Sequence, residues 1–124
     1  MITSDCTAAT ASGDTVETTL GTVTLPSNAK RIIGVGVSCG GAGATTLEGV
    51  SGMFRISINN IDVTPAKFCF SYGLPITSGI VPTEAKIFPV DWSPAGNSVV
   101  TFYVTMDMAQ TVNNTFRGFV IYEK

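Results

Sequence analysis

Histidine does not occur among the 124 residues. With it go the commonest general base and every Ser-His or Cys-His nucleophile pair. The acids that could act instead are Asp5, Asp14, Glu17, Glu48, Asp62, Glu84, Asp91, Asp107 and Glu123. Two carboxylates flanking a glycosidic bond can hydrolyse it. Most of these nine, however, fall at expected turns or strand ends, where an aspartate ordinarily accepts hydrogen bonds from nearby backbone. No catalytic residue is assigned, and the chain reads as a non-enzyme.

Metal and cofactor chemistry find equally little to work with. Cys6, Cys39 and Cys69 are odd in number and widely spaced. Without a Cys-x-x-Cys pair or a histidine they argue against a zinc site and against a disulfide framework. Cys39 and Cys69 lie in apolar strand patterns, where a free thiol behaves as a small hydrophobe. Three free thiols are therefore expected, with Cys39 and Cys69 buried; a Cys39–Cys69 bridge is the alternative that spacing leaves open. The run Gly40-Gly41-Ala42-Gly43-Ala44-Thr45-Thr46 has the glycines of a phosphate loop but lacks its Gly-Lys-Ser/Thr ending, and reads as an inter-strand loop. Asn59 to Asp62 lacks the glycine and distal glutamate of a calcium loop. No metal or cofactor is assigned.

Two features could serve recognition. Asn113-Asn114-Thr115 is a glycosylation triplet, of a kind that arises readily by chance in a chain rich in Asn and Thr. Trp92, just before a turn, offers a ring on which a sugar face could stack, or else closes one end of a core. Tyr72 bears on the same choice: exposed and beside Trp92 it favours sugar binding, and buried it favours a packing role.

Charge is scarce. Charged residues are 13% of the chain, about half the usual ~25%. The net charge is −2. The basic residues Lys30, Arg31, Arg55, Lys67, Lys86, Arg117 and Lys124 are scattered apart from one adjacent pair, so direct nucleic-acid binding is not expected. A near-neutral, charge-poor surface tends toward association. The start of the chain has neither the basic residues nor the apolar run of a secretory leader. No stretch approaches the ~20 apolar residues that span a bilayer.

The elements that must position any site read as strands. Residues 1–13 are small and polar, cannot bury a face, and are expected to form a flexible N-terminal arm. A single domain is expected over 14–124. Val16, Leu20, Val23 and Leu25 alternate with threonines, and Pro26-Ser27-Asn28 ends that segment. From Arg31 to Cys39, Ile33, Val35, Val37 and Cys39 face one way. Gly34 and Gly36 face the other, leaving room for a backbone or a large ring. Strands follow over Met53–Ile58 and Lys67–Tyr72, then a loop of about ten residues over Leu74–Thr83. Lys86–Trp92 is interrupted by Pro89 and therefore belongs at an edge or a bulge. Ser93-Pro94-Ala95-Gly96-Asn97 is a turn, and strands over Ser98–Met106 and Thr115–Glu123 complete the chain. The pattern predicts an all-β fold, an antiparallel two-sheet sandwich of seven to eight strands. Ile33, Val35, Val37, Phe54, Ile56, Phe68, Phe70, Phe102, Val104, Val120 and Tyr122 should point between the sheets.

The Gly-rich turn with its long following loop, the Pro-interrupted segment, and the closing run Val99-Val100-Thr101-Phe102-Tyr103-Val104-Thr105-Met106-Asp107 … Phe116-Arg117-Gly118-Phe119-Val120-Ile121-Tyr122-Glu123 resemble the small single jelly-roll capsid proteins of icosahedral viruses. The likeness lies in strand cadence from about Thr15 to Glu123. It implies jelly-roll topology and a structural subunit of a virion. Such a subunit would assemble with copies of itself and with other virion proteins through its loops and N-terminal arm. The alternative from another class is a carbohydrate- or receptor-binding β-sandwich module with a glycan partner.

Overall fold

Period-two alternation of large apolar and small polar residues lets a strand bury one face and hydrate the other, and most of this chain follows that rule. The computed structural model describes residues 2–11, 16–40, 51–64, 68–71, 75–76, 79–80, 86–106 and 114–124, with side chains at 2–6, 16–37, 52–64, 87–106 and 116–124. The strands are β1 (Ile2–Ala11), β2 (Thr18–Thr24), β3 (Arg31–Gly40), β4 (Ser51–Ile58), β5 (Ile61–Asp62), β6 (Phe68–Ser71), β7 (Pro75–Ile76), β8 (Gly79–Ile80), β9 (Lys86–Trp92), β10 (Val99–Met106) and β11 (Asn114–Glu123).

Two antiparallel sheets, each four strands wide, pack face to face. The first has the order β1-β11-β3-β9; the second has β2-β10-β4-β5, with β6 also paired to β4. β5 pairs with Ser57 and Ile58, and β6 with Ser51 to Phe54, so the two share one flank of β4. From β1 to β4 and again from β9 to β11 the chain passes from one sheet to the other at each strand, and this order fits a jelly roll.

The core lies between the sheets. Val35, Val37, Phe54, Ile56, Phe102, Val104, Val120 and Tyr122 are buried there as alternation requires, joined by Leu20, Val23, Leu25, Ile32, Ile58, Val100, Met106 and Phe116. Phe68 and Phe70 lie outside the described side chains. Ile33 departs from the expectation: it is half-buried while Ile32 is fully buried. The β3–β11 register shifts between Ile121 and Tyr122, and the β3–β9 register between Ile32 and Gly34. A bulge inserts one residue and reverses which neighbour points inward, so Ile32 takes the core position.

Residues 2–11 are a strand and not the flexible arm expected over 1–13. β1 runs antiparallel along β11 through ten consecutive pairs, from Ile2 opposite Glu123 to Ala11 opposite Asn114. It brings no large side chain to the core. Its attachment is the backbone ladder to β11, its close approach to β2 of the facing sheet, and a bond from the Tyr122 hydroxyl to Asp5 Oδ2 at 2.7 Å. The expected ten-residue loop over Leu74–Thr83 also contains regular structure. Pro75 pairs with Ile80 and Ile76 with Gly79.

The turns follow local chemistry. Asn59 and Asn60 both have positive φ, 50° and 66°, as a two-residue hairpin loop requires and as asparagine tolerates. Gly96 is required by proximity: a Cβ there would sit 2.6 Å from the Ser27 carbonyl oxygen. That contact clasps the turn after β2 against the turn after β9. Ala95 N donates to Lys30 O and Asn97 N to Pro26 O.

Cys6 is a free, exposed thiol. The side chains of Cys39 and Cys69 lie outside the described residues, though their backbones sit in different sheets, opposite Phe116 and Met53. Thiol titration of the native protein is expected to find one fast-reacting group, Cys6, and three groups after denaturation. A single thiol in the denatured protein would establish a bridge instead.

Candidate functional site

The two outer faces of the sandwich differ in chemistry. On the β2-β10-β4-β5 sheet, the outward residues include Thr19, Thr22 and Thr24 from β2, Val99, Thr101, Tyr103 and Thr105 from β10, and Met53 and Arg55 from β4. Arg55 organises this face. Its Nε and Nη2 grip Glu17 at 3.2 and 2.7 Å, and Nη1 reaches Asp62 at 2.8 Å. Its guanidinium carbon lies 3.9 Å from the centre of the Tyr103 ring. The planar fork can bond a carboxylate with two N–H groups while stacking on an aromatic face. The hydrogen bonds to Glu17 and then Asp62, outweighing the cost of burial, raise the Arg55 pKa further above its ordinary value.

The outward face of the β1-β11-β3-β9 sheet is mainly small and apolar. Register aligns Cys6, Phe119, Gly36 and Ile87 across the four strands, and Ser4, Ile121, Gly34 and Pro89 in the next row. Gly34 admits its neighbours and not a distant ring: a Cβ there would meet Ile87 at 3.4 Å and Ile121 at 3.7 Å. Ile87 and Ile121 thus lean over β3 at Gly34. One corner is charged, where Arg31 Nη2 bonds Glu123 Oε1 at 2.9 Å and Arg31 Nη1 lies 3.7 Å from Asp91.

Of the candidate acids, five are described in side-chain pairs. Asp5 meets Tyr122, Glu17 and Asp62 meet Arg55, and Asp91 and Glu123 meet Arg31. These pairings connect residues as far apart as 117 positions, which turn chemistry alone does not foresee. Among the described residues, no group of three or more Cys, Asp or Glu could hold a metal ion. Nor do the described residues include a helix long and apolar enough to cross a membrane. Ser27-Asn28-Ala29-Lys30 has Ser-x-x-Lys spacing, the arrangement by which a lysine activates a serine nucleophile. Both residues are exposed on the turn between β2 and β3. The turn lacks the helical geometry that brings such a pair together.

Trp92 is partly buried and packs against the core beside Phe88 and Val90, closing one edge of the sandwich. Tyr72, Asn113 and the run from Gly41 to Thr46 lie outside the described residues.

Tyr122 carries a measurable signature of β1 docking. Its hydrogen bond to Asp5, together with burial and the adjacent carboxylate charge, pushes its pKa up to about 12 from 10.0. The folded state favours the neutral phenol, so this contribution to stability is complete below pH 10 and disappears as pH rises through about 12. Tyrosinate absorbance is expected to show one residue titrating late, with stability falling over the same interval. In Asp5→Asn the late step should move toward the ordinary value.

No family model, no curated protein and no solved structure matches this chain.

Proposed function

We propose that this protein is a structural subunit of a viral capsid, associating with copies of itself and with other virion proteins. The observation that carries this reading is the pair of four-strand antiparallel sheets in an order that fits a jelly roll. A largely apolar outer face on one sheet and a charge-poor surface favour packing over solitary solubility. The segments Gly40–Thr46 and Leu74–Thr83, the second carrying the short β7–β8 pair, are the proposed contacts, since connections between the main strands accommodate non-identical neighbours better than the sheets do. Strands flanking them end opposite the Glu123 end of the sandwich, with Gly40 paired to Thr115 and Lys86 to Val37. Residues 2–11 are not a free arm in this scheme, because β1 is already paired within the chain.

Each stable contact should bury on the order of 1,200 Å² or more. Light scattering across a concentration series, run beside a glycan-binding screen, tests the reading. Growth from subunit to a defined high-mass species without glycan binding is expected. A particle that stays monomeric throughout and binds a glycan, with binding lost in Trp92→Ala, would transfer the assignment to a carbohydrate-binding module.

A further inference from the structure

A sandwich has four sheet edges, and three of these carry features that discourage pairing with another chain. β9 contains Pro89 and an irregular register with β3. β2 is bulged where its register with β10 shifts between Phe102 and Tyr103. The remaining flank of β4 is covered by strands of two and four residues. Proline, bulges and short strands are the usual means of blunting an edge. β1 is different: ten residues without proline, glycine or lysine, in unbroken register with β11. Its one charge, Asp5, is bonded to the Tyr122 hydroxyl.

We infer that the free edge of β1 pairs antiparallel with β1 of a second copy, joining two β1-β11-β3-β9 sheets into one of eight strands. The partner follows from symmetry. Among the described edges β1 alone is long and regular, and antiparallel pairing of identical strands uses the same surface on both copies, as an isologous two-fold contact must. A two-fold axis perpendicular to the sheet places one residue opposite itself. The registers that use most of the strand put Cys6 or Thr7 on that axis. Cys6 on the axis sets Ile2 opposite Thr10 of the second copy and so draws Ile2, 66% exposed in the single chain, into the ladder. Asp5 then faces Thr7 and not a second carboxylate, avoiding like charges directly opposite one another. The inference rests on the assembly reading and names one contact within it.

The arrangement makes Cys6 its own reporter, since directly opposed residues in an antiparallel pair lie within disulfide reach. Diamide oxidation of the full chain should give a disulfide-linked dimer; the two thiols give up two protons and two electrons, and diamide takes them up as the hydrazine. The dimer band should vanish in Cys6→Ser, while sedimentation velocity still shows that variant associating. Cys6→Lys sets two ammonium groups face to face, and should weaken association several-fold with an unchanged melting temperature. Should Cys6→Lys itself melt early, Ser4→Lys places a charge on the same exposed face of the edge and gives the same readout. A wild-type chain that assembles without forming the Cys6 cross-link, and whose lysine variants assemble equally well, would overturn the β1 pairing while leaving the shell reading intact. A chain that remains monomeric and uncross-linked at every concentration would remove both.

Discussion

Phe102→Ala will lower the free energy of unfolding by about 3–5 kcal/mol, the range for deleting a buried aromatic ring and leaving a cavity. Phe102 is fully buried at the middle of β10, between β2 and β4. Its ring lies across the sandwich against Gly118 of β11, so it joins the two sheets as well as filling space. Neighbours on a strand are fixed by their ladder and cannot collapse far into the void, which places the loss toward the upper part of the range. Total stability for a domain is only about 5–15 kcal/mol, so the variant should melt many degrees lower. Urea denaturation measures the loss directly. A change below about 1 kcal/mol would mean that Phe102 is not in a close-packed core.

Gly118→Ala will also destabilise the protein, by about 1–3 kcal/mol, through overpacking. A Cβ at this position would stand 2.6 Å from both Cδ atoms of the Phe102 ring, closer than carbon atoms approach without something shifting. The ring is held by strands on both sides and cannot swing clear as the tip of a flexible side chain would. The clash identifies its own remedy. Combining Gly118→Ala with Phe102→Leu should cost less than the sum of the single changes, with a coupling of about 0.5–3 kcal/mol. Strict additivity would mean that the ring and the glycine do not touch.

This contact illustrates what could be read from the residues and what could not. Alternation around Phe54, Phe102 and Val120 places each strand's inner face without knowledge of the fold, because the pleat enforces a period of two. Which glycine receives a ring depends on two sheets meeting. Gly34 has the right spacing, yet Ile87 and Ile121 beside it occupy that space, and Gly118 receives Phe102. Ile33 was misplaced for a similar reason: a bulge at Ile32 and Ile33 shifts the count by one, and no residue type signals it. β1 was missed because its ten residues hold only one large aliphatic side chain, Ile2, and apolar periodicity says nothing about a strand held by its ladder. Its spaced threonines, Thr3, Thr7 and Thr10, were the available cue. The Glu17–Arg55–Asp62 cluster, the Arg31 corner and the Tyr122–Asp5 bond join distant segments, and only the fold brings them together. Pro89 was legible, since a residue without an N–H belongs at an edge.

The claim that this chain is a shell-forming subunit is tested most directly by negative-stain electron microscopy of the purified full-length protein at high concentration. Closed particles of uniform diameter are expected, with intermediates built from the same subunit contacts. A field of isolated single domains at every concentration and salt condition would contradict the claim.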